Sequence, residues 1–60
     1  MIRTGSLVRA LKAHGKIWKG RYLSVAERRG DTVLVYVERN AKGKWLTASV
    51  PLGDVEEVVG

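Results

Sequence analysis

Sixty residues carry 11 Lys+Arg against 6 Asp+Glu, a formal charge of +5. A chain of this length buries only about 60% of its unfolded surface, which allows one domain over residues 1–60 and leaves no room for a cleft between domains. With no Cys and a single His, His14, neither a disulfide framework nor a zinc site is there to staple a small core, and no cofactor or metal is implied.

The charge is unevenly placed. Residues 1–21 contain Arg3, Arg9, Lys12, Lys16, Lys19 and Arg21 and no acid, whereas Glu27, Asp31, Glu38, Asp54, Glu56 and Glu57 all follow. Hydrophobic content of 45% argues for a folded chain. No apolar run approaches the roughly 20 residues of a membrane span, and no signal-type segment follows Met1-Ile2-Arg3, so a cytoplasmic soluble protein is expected.

Gly and Pro divide the chain into pieces too short for ordinary helices, and the pieces alternate with the period of strands. Leu7–Leu11 reads as a first strand, with Val8 and Ala10 on one face and Arg9 on the other. A long basic loop, Lys12 to Gly20, follows. Arg21–Arg28 reads as a second strand with Leu23 and Val25 inward, ending at the turn Arg29-Gly30-Asp31. Thr32–Glu38 puts Val33, Val35 and Val37 on one face and is the expected centre of the sheet. Asn40-Ala41-Lys42-Gly43 reads as a hairpin connection. In Lys44–Val50, Leu46, Ala48 and Val50 are expected to face in, with Trp45, Thr47 and Ser49 out. Pro51 ends that ladder, since it lacks an N–H. Leu52-Gly53-Asp54 reads as a tight turn of 3₁₀ type before a short last strand at Val55–Val59, with a short helix capped by Asp54 as the competing reading. The expected fold is all-β: a small five-stranded antiparallel barrel, closed or nearly so.

The order of these segments resembles the SH3-like barrel over nearly the whole chain. The residues that carry the resemblance are Gly5-x-x-Val8-Arg9, Trp18-x-Gly20, the hairpin pair, and Val50-Pro51-x-x-Asp54-Val55-Glu56-x-Val58. Gly5–Arg9 and Leu52–Val58 resemble the electron-transport accessory proteins, typified by the photosystem I subunit that helps dock ferredoxin; that resemblance implies a protein-docking role. Trp18-Lys19-Gly20 with Val50-Pro51 resembles the C-terminal DNA-binding domain of retroviral integrases, which implies nucleic-acid binding, although Asp54, Glu56 and Glu57 stand where that family tends to be basic. Trp18-x-Gly20 is also similar to type II dihydrofolate reductases, whose pore motif is replaced here by Thr47-Ala48-Ser49-Val50-Pro51, so their activity is not implied.

Catalytic constellations are missing from the sequence. Glu56 and Glu57 are adjacent on a strand and point to opposite faces, His14 reads as a solvated loop residue, and Ser6, Ser24 and Ser49 have no Gly-x-Ser-x-Gly elbow. Gly15–Gly20 lacks the spacing of a P-loop. A non-enzymatic binding module is therefore expected. The candidate surface is Arg9, Lys12, Lys16, Trp18, Lys19 and Arg21, extended by Lys42, Lys44 and Trp45: cations for phosphates, indoles for stacking on bases. Trp18 and Trp45 have an ordinary alternative, since a 60-residue core without Phe has use for two indoles in packing. Three functions remain open from sequence: nucleic-acid binding of low sequence specificity, which is favoured, docking of an acidic protein, and a homo-oligomer formed through outward Leu7, Leu11, Leu34 and Tyr36. No membrane partner is expected, as no amphipathic basic helix is found.

Overall fold

A computed structural model describes residues 1–59 as five antiparallel strands and one 3₁₀ turn. The strands are β1 (Leu7–Ala10), β2 (Tyr22–Arg29), β3 (Thr32–Arg39), β4 (Trp45–Pro51) and β5 (Val55–Glu57), and Leu52–Asp54 forms the 3₁₀ turn. The helix alternative at the C-terminal end is not realised. Hydrogen bonding orders the strands β4-β3-β2-β1-β5, so β2, not β3, is the middle strand. Among the described residues no pairing joins β4 to β5, and the ladder is open at those two strands.

Period-two alternation determines what is buried. Val8 and Ala10, Leu23 and Val25, Val33, Val35 and Val37, Val50 and Val55 all point to one side and form the core. Gly30 takes φ +56 while Asp31 does not turn positive, which matches the glycine-first primed turn that joins two strands without splaying them. Leu52 N–H donates to the Asp31 carbonyl (2.7 Å), tying the 3₁₀ turn to that hairpin.

The tenth core residue, Ile17, comes from the segment between β1 and β2 and is 1% exposed. This segment is pinned rather than free. Ile17 and His14 exchange backbone hydrogen bonds (2.8 Å each), Leu11 N–H donates to the Asp54 carbonyl (2.8 Å), and Gly20 N–H donates to the Ala10 carbonyl (2.7 Å). His14, expected to be solvated, instead donates from Nε2 to Asp54 Oδ2 at 2.7 Å.

Leu46 corrects another expectation: it is 43% exposed. The register of β3 against β4 shifts between Tyr36 and Glu38, leaving Val37 as an extra residue, and beyond that bulge Leu46 pairs with Glu38 instead of a valine. Leu46 therefore faces the inner side where the core has ended.

Ile17→Ala is expected to cost about 2–5 kcal/mol and Ile17→Val about 0.5–1.5 kcal/mol in urea denaturation. A cost below about 0.5 kcal/mol for the alanine variant would show that the β1–β2 segment is not anchored in the core.

Candidate nucleic-acid interface

All four aromatic side chains lie on the surface. Trp18 is 63% exposed, Tyr22 58%, Trp45 53% and Tyr36 38%, and the core contains no ring at all. Trp18 and Trp45 thus lie outside the core, each partly covered by its neighbours. Aromatic side chains bring the largest apolar burial available to a small domain, so leaving every one outside is a costly arrangement for stability alone.

Tyr22 and Tyr36 reach the outer face by strand parity, since inward Leu23 follows Tyr22, and inward Val35 and Val37 flank Tyr36. Trp45 reaches it through the hairpin. Asn40 Oδ1 accepts from the Lys42 and Lys44 backbone N–H groups (2.9 and 3.0 Å), Gly43 N–H donates to the Asn40 carbonyl (3.0 Å), and Gly43 adopts φ +81. This closed loop sets Trp45 opposite Arg39 and diagonal to Tyr36. The Tyr36 and Trp45 rings meet at 5.7 Å between centroids and 62° between planes.

Each indole carries an arginine. The Arg21 guanidinium lies 4.8 Å from the Trp18 ring centroid, and that of Arg39 lies 5.9 Å from Trp45. Arg39 is fixed by two 3.2 Å hydrogen bonds to the Gly43 carbonyl, and Arg21 donates to the Lys16 carbonyl (3.3 Å) and to the Val37 carbonyl. Arg21, Tyr22, Leu23, Ser24, Tyr36 and Trp45 line one depression of about 370 Å³, and none of them is acidic. One end of this face continues across β1, where Arg9 pairs with Tyr22 on one side and Glu56 on the other.

The ion pairs decide how much of the basic excess is free. Glu56 holds Arg9 (2.7 Å), Asp54 approaches Lys12 (3.8 Å), Glu38 holds Lys16 and Glu27 holds Arg29 (3.0 Å). Among the described residues the other seven cations, Arg3, Lys19, Arg21, Arg28, Arg39, Lys42 and Lys44, have no carboxylate partner. Of the nine residues expected from sequence, Trp18, Lys19, Arg21, Lys42, Lys44 and Trp45 are free of acids. Arg9, Lys12 and Lys16 are partly neutralised, which shifts the open charge from the first strand and its loop toward the two stacked indoles.

Sequence reasoning placed Tyr36 outward but only as an oligomer contact, and it did not single out Tyr22 or Arg39. The tyrosines were accessible to it, because the alternation that buries Leu23 and Val35 also expels them. Arg39 was not, because simple alternation from Val33 to Val37 puts it on the inner side and only the bulge at Val37 turns it outward beside Trp45.

A second hollow, of about 390 Å³, opens on the inner side between His14–Ile17 and the ends of β3 and β4, lined by Ile17, Val37, Leu46 and Ala48 among others. Its lining is mainly apolar and is separate from the aromatic face. No group of three or more His, Cys, Asp or Glu side chains suited to a metal ion occurs among the described residues, and no helix there is long and apolar enough to cross a membrane.

No family model, curated protein or solved structure matches the chain.

Glu56→Gln releases Arg9 at one end of the face. Because the pair is exposed, stability is expected to change by less than about 1 kcal/mol, while the protein should elute from immobilised heparin at higher salt. A loss above about 2 kcal/mol in thermal denaturation, or unchanged elution, would contradict this reading of Arg9.

Proposed function

We propose that the chain is a small SH3-like barrel acting as a non-enzymatic module in the cytoplasm, and that it binds nucleic acid with little sequence specificity. The observation that carries this reading is the exclusion of all four aromatic rings from the core, with three of them bordering one acid-free depression beside Arg21. Lys19, Arg21, Arg39, Lys42 and Lys44 meet phosphates, and Arg9, Lys12 and Lys16 join them by exchanging a carboxylate for a phosphate. Trp18 and Trp45 supply ring faces. The barrel reading is supported by the strand order, the long β1–β2 connection and the 3₁₀ turn immediately before β5.

Low specificity follows from the chemistry of the face. The groups that border the depression are three rings, one guanidinium, Leu23 and Ser24, and its neutral hydrogen-bonding groups are the Ser24 and tyrosine hydroxyls and the Trp45 indole N–H. Base-edge readout needs paired donors and acceptors in fixed places, whereas ammonium groups and ring faces accept any base on any backbone.

Binding measured by fluorescence anisotropy is expected to weaken linearly in log K against log salt. The double change Lys42→Gln, Lys44→Gln should reduce the slope by about 1.4–1.8, from 0.7–0.9 per phosphate contact. An acidic protein of similar charge density is the control: equal affinity for that protein, or no salt-dependent binding to any nucleic acid, would refute the proposal.

A further inference from the structure

We infer that this face takes unpaired bases, so that the ligand is a single strand and not a duplex; the inference rests on the nucleic-acid reading and narrows it. The observation is the geometry of Tyr36 and Trp45. Their planes stand 62° apart with centroids at 5.7 Å, which makes a corner rather than a flat wall. A planar ring entering that corner lies against one face and meets the edge of the other, and the depression continues from there to Tyr22 and Arg21. Its volume of about 370 Å³ falls at the small end of the range that holds drug-sized molecules, which is room for bases and not for a helix about 20 Å across.

The stacked arginines point the same way. Arg21 and Arg39 lie against the Trp18 and Trp45 rings at 4.8 and 5.9 Å, leaving the rest of each exposed indole to a base. A guanidinium in that position is available to a phosphate beside the stacked base, so one ring and one cation serve one nucleotide. In a duplex the π-faces are already occupied by neighbouring base pairs, and a protein reaches them only by wedging a side chain between steps or by flipping a base out. Reading the duplex grooves takes another shape: a helix or a two-stranded ribbon inserted in the major groove. The ribbon end beside Trp45 is the hairpin at Asn40–Lys44, where Arg39 donates to the Gly43 carbonyl of the same loop and so stays beside the Trp45 ring. Single-strand binding by rings on a sheet face needs no such arm.

The test compares three labelled probes of one mixed sequence at matched ionic strength: a single DNA strand, a single RNA strand and the DNA duplex. Either single strand is expected to bind at least about tenfold more tightly than the duplex and to quench tryptophan fluorescence; the DNA-to-RNA ratio then separates the two sources. Trp45→Ala and Tyr22→Ala change exposed residues, and each should weaken single-strand binding by about 5- to 150-fold, the loss of one stacked base, with a smaller loss of duplex binding. Circular dichroism of the two variants checks that they keep the fold. Duplex binding as tight as single-strand binding, with both variants indifferent, would overturn this inference and leave the charge-based nucleic-acid reading standing. Absence of binding to all three probes would overturn both.

Discussion

The structure depends on filling one face of a short bent sheet with small branched side chains. Five of the six largest fully buried side chains are valines, and the sixth is Ile17. Valine suits a strand because its branched Cβ packs on the pleat, and a row of valines across adjacent strands makes a thin, tightly closed interior. That interior contains no ring. Since successive side chains alternate, every aromatic residue next to a buried valine or leucine is driven to the opposite face. The aromatic surface is thus the other side of the same pattern that forms the core, and losing the alternation in β2 or β3 would disorganise both.

Charge is sorted by two local irregularities. The bulge at Val37 turns Glu38 to the inner side, where it meets Lys16, and turns Arg39 outward onto Trp45. One inserted residue removes an acid from the aromatic face and adds a cation to it. The Asn40–Lys44 loop has the complementary effect, holding Lys42 and Lys44 in solvent with no carboxylate partner while the Asn40 side-chain oxygen and the Asn40 and Lys44 carbonyls accept from its backbone N–H groups. At the other end of the sheet, Glu56 draws Arg9 into an exposed ion pair, a kind worth at most about 1 kcal/mol, and Asp54, half-buried and bonded to His14, holds Lys12 only at 3.8 Å.

Much of the fold was legible from residues 7–59. Strand positions, the 3₁₀ turn and the inward valines follow from spacing, since Gly30, Gly43 and Pro51 delimit the segments and the valines recur at every second position. Three features depend on tertiary placement and have no local signal. Ile17 lies in a Gly-flanked basic stretch whose composition reads as solvated, yet it completes the core. His14 finds Asp54 from forty residues away in sequence. The bulge that exposes Leu46 and re-aims Arg39 depends on the pairing of two whole strands, where Val37 itself reads as an ordinary member of the alternation. The candidate surface was half legible: the basic residues and indoles are evident as composition, but their division into free and neutralised cations is set by which acids the folded sheet brings beside them.

Chemical-shift mapping during titration with a short single strand tests the central claim most directly, because it reports which face the ligand meets. The largest changes are expected at the Tyr22, Tyr36 and Trp45 ring signals, the two indole N–H groups and the Arg21 and Arg39 side chains, with the core valine methyls little moved. Changes confined to residues 12–16 and the β1–β5 edge, with the Tyr36 and Trp45 rings unaffected, would contradict the account.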